Sequence, residues 1–332
     1  MDFLLYILVL FIYGLLRIMP HWLIKFNAVW LGYLLFLWPP ARKIAVANIR
    51  TAFPEKSLTD VKRIARKSFF NLVFNLTEFL WMSGKVERIE RYTVIPEPVL
   101  TLLKDCVRDH IRIIFVNPHL GSWEGSGLMA PHYAGVKMVA IAKPVRNPYL
   151  NKFINKIGRE QEEGLQIIYS KGAMRASIKA LKSGMGVGTL IDQNTRGRDG
   201  GVFVNFFGLP VPSSTAPAVL MDYCVKNQIP AKIIYGTSVR LANGVITAHS
   251  DELSKDFAEY ASPDEVLQEL MQISEKFIRR FPEHYLWFYK RFQYIPPDCP
   301  AEIKTRYPYY ATVAPPRFFS KVKGNGNNME QS

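Results

Sequence analysis

Apolar positions along this chain follow two periods, and the changes of period mark its elements. Over 58–82 they recur at helical spacing (Val61, Ile64, Ala65, Phe69, Leu72, Val73, Leu76, Leu80), with Ser57 or Thr59 available as N-cap. That pattern predicts one long amphipathic helix. Further along, short apolar runs at 111–116, 137–142, 165–169 and 186–191 read as strands, whereas 122–133, 147–158 and 172–181 read as helices. Strands alternating with helices of this length predict an α/β fold, a sheet with helices packed on its faces. The runs 231–241 and 245–249 flank Asn243-Gly244, a hairpin signal that adds antiparallel pairing and makes the sheet mixed. A helix over 263–280 and an aromatic, basic stretch over 281–294 come next.

The first forty residues break this pattern. Residues 3–16 carry no charge and are almost wholly apolar, then Arg17, Pro20 and Lys25 interrupt a second apolar stretch at 26–38. A bilayer-crossing helix takes about 20 apolar residues, so a helix from Asp2 to about Met19 spans only with Arg17 snorkelling to the interface. Trp22, Trp30, Tyr33 and Trp38 suit the headgroup zone beyond it. A buried hydrophobic helical hairpin is the competing expectation. A cleaved signal peptide is disfavoured, since no basic residue precedes the apolar run and no small-residue cleavage site closes it. Arg42, Lys43 and Arg50 place the rest of the chain on the cytoplasmic side by the positive-inside rule. The organisation expected is a membrane anchor and interfacial segment at 1–38, a folded body at 39–312 and a disordered polar tail at 313–332.

Composition sharpens the membrane reading. The chain has 332 residues, 48% of them hydrophobic, which is more apolar than a soluble enzyme needs. Lys and Arg number 42 against 28 acidic residues, a formal charge of +14 that favours anionic partners. Nucleic acid is disfavoured, because the basic residues are dispersed and no zinc-finger, RNP-type or basic-zipper pattern is present. Cys106, Cys224 and Cys299 are unclustered, so neither a disulfide framework nor a zinc site is indicated, and no metal or cofactor is expected. Gly184, Gly186 and Gly188 lack dinucleotide or phosphate-loop spacing, and there is no Gly-x-Ser-x-Gly elbow of a serine esterase.

One segment carries candidate chemistry. Asn117-Pro118-His119-Leu120-Gly121-Ser122-Trp123-Glu124 lies where a predicted strand passes through a turn into a helix, the position at which α/β proteins collect ligand sites. Gly121 permits a tight turn, and a carboxylate at Glu124 has the reach to fix one imidazole nitrogen of His119, leaving the other as a base. Spacing alone equally allows a loop histidine and a glutamate that merely complements the helix N-terminus.

The segment resembles the His-x4-Glu/Asp block of glycerolipid and lysophospholipid acyltransferases, and the whole chain resembles the bacterial lipid A biosynthesis acyltransferases, the lauroyl and myristoyl transferases. The likeness runs from about Ala41 to Phe292, through Asn48-Ile49-Arg50-Thr51-Ala52-Phe53-Pro54-Glu55, the His119 segment, Asn147-Pro148, Asp192-Gln193, Val202-Phe203-Val204-Asn205-Phe206-Phe207-Gly208 and Tyr285-Leu286-Trp287. Lys143, Asn205 and the pair Tyr289-Lys290 depart from the family pattern. The resemblance implies a glycerolipid-acyltransferase-like domain at 39–312 that moves a fatty acyl chain from an acyl carrier protein thioester to a hydroxyl of an anionic glycolipid such as a lipid A precursor, at the bacterial inner membrane.

On that reading His119 is the general base, Glu124 stabilises its imidazolium, and backbone amides near Gly121 or the helix N-terminus receive the oxyanion. Arg175 and Asp192 match blocks near the active site, and Lys143 and Arg146 form a basic pair suited to an anionic headgroup. Phe206-Phe207 and Trp287-Phe288-Tyr289 are candidates for an acyl pocket, although aromatic clusters are more often plain core. Two alternatives stand beside this: a related enzyme acylating a mannosylated phosphoinositide or aminolipid from acyl-coenzyme A, or an inactive membrane-surface scaffold of the same fold.

Overall fold

The computed structural model describes residues 2–159 and 164–320, with side chains at all of these but 157–159. Three helices come first, α1 (Asp2–Ile18), α2 (His21–Leu37) and α3 (Pro39–Ala52). Prolines set their breaks: Pro20 caps α2, and Trp38, held extended before Pro39, turns α3 by 87° from α2. At 1.5 Å per residue the 17 residues of α1 reach about 25 Å, short of a hydrocarbon core of about 30 Å. No single described helix is long and apolar enough to cross a membrane, and the helix expected from Asp2 to about Met19 forms as α1, which ends at Ile18. Pro20 stops the helix before it has the length. The two helices pack on the body separately, α2 along the helix Leu58–Met82 and α1 against that helix and Pro148–Phe153. They leave apolar groups on their outer sides, Leu4, Phe11, Trp22, Trp30, Leu34 and Trp38 all standing exposed.

The amphipathic helix expected at 58–82 is α4 (Leu58–Met82), capped by Ser57, whose Oγ accepts from the Asp60 amide at 3.1 Å. Then come α5 (Val86–Tyr92), β1 (Thr93–Val94) and α6 (Glu97–Arg108). The alternating part is β2 (Arg112–Asn117), α7 (Trp123–Ala134), β3 (Met138–Ala142), α8 (Pro148–Phe153), β4 (Leu165–Tyr169), α9 (Ala173–Lys182) and β5 (Gly186–Leu190). A small hairpin, β6 (Gly201–Phe206) with β7 (Leu209–Ser214), precedes α10 (Ala216–Lys226), β8 (Ala231–Arg240), β9 (Ile246–Asp251) and α11 (Pro263–Arg280).

The main sheet has seven strands in the order β1-β9-β8-β2-β5-β3-β4, parallel throughout except for the β8–β9 hairpin at Asn243-Gly244. The mixed α/β sheet flanked by helices is thus as expected. Alternate residues of its strands divide between two hydrophobic clusters. Ile114, Val116, Val187, Ile233, Tyr235 and Val239 face α9, α10, α11 and the first half of α4. Ile113, Phe115, Met138, Leu165, Ile234 and Ile246 face α6, α7 and the second half of α4.

The folded body also runs further than expected. Thr312–Val313 form β11, which pairs in parallel with β10 (Tyr294–Ile295), and Phe318 is buried against Phe203 at 5.6 Å between ring centroids. The polar average of the tail hid Phe318 and Phe319, whose rings find an apolar surface. Residues 321–332 of the expected tail lie outside the described residues.

Candidate active site

Parallel strands that share one direction gather the segments after their C-terminal ends on one rim. Asn117 ends β2, Ala142 ends β3, Tyr169 ends β4 and Leu190 ends β5, so His119, Lys143, the start of α9 and Asp192 all leave the sheet at that edge. Register does the finer work. Because β2 and β5 pair with Asn117 opposite Leu190, the residues two further along each chain, His119 and Asp192, come side by side.

They meet through two hydrogen bonds. The His119 amide donates to Asp192 Oδ2 at 2.8 Å, and its Nδ1 lies 2.7 Å from Asp192 Oδ1. Both residues are buried. Burial, the strongest influence on the Asp192 carboxyl, pushes its pKa up, but the charge and hydrogen bonds of His119 together with the Arg291 cation hold it below the usual carboxylate range. An ionised Asp192 fixes the proton on Nδ1 and leaves Nε2 with its lone pair exposed to chemistry. The orienting position that the spacing assigned to Glu124 is therefore occupied by Asp192. Glu124 sits one step away, in the first turn of α7, where it lines a cavity with Trp123, whose ring meets the His119 ring edge-on at 5.2 Å.

The loop between β2 and α7 is clamped on three sides. Gly121 N donates to the His284 carbonyl at 3.0 Å, Ser122 N to the Ser238 carbonyl at 2.7 Å, and the His119 carbonyl accepts from Leu286 N at 3.1 Å. Gly121 has φ +68°, and a Cβ there would lie 2.0 Å from the Ser238 oxygen, so only glycine fits. Of the two expected sources of oxyanion donors, the Gly121 and Ser122 amides are already engaged in holding the loop, whereas these three contacts do not involve the amides at the start of α7.

Beside Nε2 and in the segment after Asp192 the structure adds Gln193, Asn194 and Arg291, to which sequence reasoning gave no role, and moves Tyr289 from the expected acyl pocket to this group. Gln193 Nε2 lies 3.1 Å from His119 Nε2. Asn194 N donates to the Tyr289 hydroxyl at 2.9 Å, and the fully buried Arg291 donates to Asn194 Oδ1 at 3.0 Å and the Pro212 carbonyl at 2.7 Å. Burial pushes the Tyr289 hydroxyl pKa up, keeping it neutral as the acceptor of that amide bond. The Asp192-Gln193 block was the one sequence signal for this group.

The cavity lies between α6 and α7 and the sheet. Six adjacent strands from β4 to β9 contribute to its floor, which at the usual spacing spans roughly 24 Å. Small residues make room for it: Ala140, Ala142, Gly188, Gly236 and Ala248 face it where larger neighbours would have filled the layer. Its walls are mostly apolar, with Ile95, Val99, Leu103, Phe115 and Leu165 along it and Asn117, Glu124 and Ser250 as polar groups. Phe206, Phe207 and Trp287 are not among its walls. They are buried in the core against Phe53 and Phe292, where aromatic rings find the most contact, so the expectation that they line an acyl pocket gives way to the core alternative. Lys143, Arg146 and Arg175 stand exposed near the rim. Among the described residues no group of three or more His, Cys, Asp or Glu side chains is placed to hold a metal ion.

A buried imidazole held by a carboxylate, beside a long apolar cavity, is an arrangement suited to acyl transfer, and comparison with known proteins points the same way. A family model described as bacterial lipid A biosynthesis acyltransferase matches residues 2–294. The chain is 24% identical over 264 residues to a lipid A biosynthesis acyltransferase of Haemophilus influenzae, covering 77% of this chain and 79% of that protein. It is 25% identical over 259 residues to a lipid A biosynthesis palmitoleoyltransferase of Escherichia coli, covering 75% and 78%. With nearly the whole chain inside the match, the protein is an acyltransferase and belongs to the bacterial lipid A biosynthesis acyltransferase family.

Proposed function

We propose that this enzyme transfers a fatty acyl chain from an acyl carrier protein thioester to a hydroxyl of a lipid A precursor or a closely related glycolipid, on the cytoplasmic side of the inner membrane. The observation that carries this reading is the 2.7 Å contact of His119 Nδ1 with buried Asp192, beside an apolar cavity sized for a chain. His119 Nε2 takes the proton of the acceptor hydroxyl as its oxygen attacks the thioester carbonyl, and Asp192 stabilises the imidazolium. The acyl chain lies in the cavity under α7. Glu124, on the cavity wall, faces the reacting groups and orients the acceptor rather than the imidazole. Lys143, Arg146 and Arg175 meet the anionic headgroup from the rim, where separate phosphate contacts by lysine and arginine suffice.

Membrane attachment rests on the exposed apolar sides of α1 and α2. The exposed Trp22, Trp30, Leu34 and Trp38 suit the interface between headgroups and acyl chains, and the basic α3 comes directly after them.

The test compares three variants of the purified protein, given acyl carrier protein and coenzyme A thioesters with a panel of lipid acceptors and product mass spectrometry. His119→Ala abolishes transfer. Asp192→Asn lowers kcat by about 10⁴-fold, the loss expected when an orienting carboxylate no longer fixes the tautomer. Glu124→Gln costs less than Asp192→Asn. Full transfer by His119→Ala removes His119 as the base, no transfer by wild type with any donor and acceptor identifies a scaffold, a larger loss at Glu124 returns the orienting role to that residue, and turnover confined to coenzyme A donors or other lipids names a different substrate pair.

A further inference from the structure

A base and its orienting partner do not complete an acyl-transfer site, because the carbonyl oxygen gains a negative charge that needs a donor. The His119 loop has none to offer from three of its amides: His119 N is held by Asp192, Gly121 N by the His284 carbonyl and Ser122 N by the Ser238 carbonyl. The donor that faces the reactive nitrogen is a side chain. Gln193 Nε2 is 3.1 Å from His119 Nε2, and since Nδ1 carries its proton toward Asp192, Nε2 accepts and the Gln193 amide donates.

We propose that Gln193 is a catalytic residue, the oxyanion donor of this site, resting on the His119 lone pair until substrate displaces it. This inference depends on the reading of His119 as the base. An acceptor hydroxyl that hydrogen-bonds to Nε2 takes the place now held by the Gln193 amide, which shifts by about one oxygen diameter to the next acceptor, the thioester carbonyl. The hydroxyl proton passes to Nε2 as the new C–O bond forms, and the carbonyl π pair moves onto oxygen, facing the Gln193 N–H. Collapse of the tetrahedral species returns that pair, breaks the C–S bond, and the departing sulfur takes the proton from Nε2. Charge and atoms balance without any further reactant.

The backbone at Gln193 is already held for this task. Asp192 before it is tied to His119, and Asn194 after it is fixed by the Tyr289 hydroxyl at 2.9 Å, the Lys290 carbonyl at 2.9 Å and Arg291 at 3.0 Å. Only the side-chain torsions of Gln193 are left to move, so little reorganisation accompanies the shift.

The experiment measures steady-state kinetics of wild type, Gln193→Met, Gln193→Glu and His119→Ala from pH 5 to 9, with thermal unfolding as the check on folding. Gln193→Met keeps the volume and removes the donor. It lowers kcat ~100-fold, within the range for loss of one oxyanion donor. KM for both substrates stays within about threefold and the acid limb of the kcat profile stays in place, since the donor contacts the carbonyl and not the imidazole in the substrate complex. Gln193→Glu, the second variant should Met disturb folding, falls further because an acceptor faces the oxyanion. A kcat retained within threefold, a rise in KM alone, or a displaced acid limb in a folded variant overturns the proposal while a dead His119→Ala leaves the base assignment standing. Transfer by His119→Ala overturns both.

Discussion

The two faces of one sheet are filled in opposite ways. On the face toward α10 and α11, Tyr235 stacks on Phe277 at 5.6 Å, and Phe206, Phe292 and Trp287 close a solid aromatic layer nearby. On the face toward α6 and α7, the same strands present Gly188, Gly236, Ala140, Ala142 and Ala248, and a cavity remains. Successive residues of a strand point to opposite faces, so a single strand such as β8 places Tyr235 in one layer and Gly236 in the other. The lesson is that the sheet separates its two faces at single-residue resolution: one face is packed solid and holds the fold, and the other leaves a cavity.

The largest effect that tests this contrast belongs to the filled face. Phe206→Ala removes a fully buried ring and costs about 3–5 kcal/mol in chemical denaturation, while the acyl chain length preferred by the surviving folded enzyme stays the same. A changed chain preference would mean that the two faces are not independent.

The next effect falls on the seam between them, where His284 holds the Gly121 amide through its carbonyl. Burial lowers the His284 pKa from 6.5 to about 4. Between those values the unfolded chain binds a proton that the folded protein does not, so stability is complete above pH 6.5 and falls as the pH drops toward 4. The loss reaches about 3 kcal/mol at 1.36 kcal/mol per pKa unit. Urea midpoints at pH 7 and pH 4.5 measure it, and His284→Phe flattens that part of the pH dependence; an unchanged slope in the variant assigns it to another group.

The smallest effect on stability belongs to the open face and is the most informative about function. At Gly236 an added Cβ would meet nothing closer than Asn117 Nδ2 at 3.6 Å, so Gly236→Leu leaves thermal stability within ~1 kcal/mol of wild type. Its side chain enters the cavity, and the longest acyl chain transferred becomes shorter. Competition between donors of different length reads this directly, and an unchanged preference removes the cavity from the acyl site.

Much of this architecture was legible in the order of residues. The helices at 58–82 and 263–280 form with the expected ends because their apolar stripes and Ser57 and Ser262 caps are local properties. The loop at His119 announced itself by its place after a strand. Among the elements that escaped notice, α10 and the β6–β7 hairpin have weak periodicity, with Pro210 and Pro212 inside a strand where proline is ordinarily excluded. A cavity was looked for among aromatic residues, yet the space is made by small ones, and a glycine in a strand does not reveal which face it thins.

By itself the sequence determined most element types, the apolar character of the N-terminus, the family and the place of His119 after a strand, since each rests on neighbours within a few turns or on matched blocks. Tertiary structure decided that Asp192, 73 residues away, and not Glu124, holds the imidazole, because only the pairing of β2 with β5 brings them together. Strand order and register are set by the burial of two whole faces at once, a property of the packed molecule that no local segment carries.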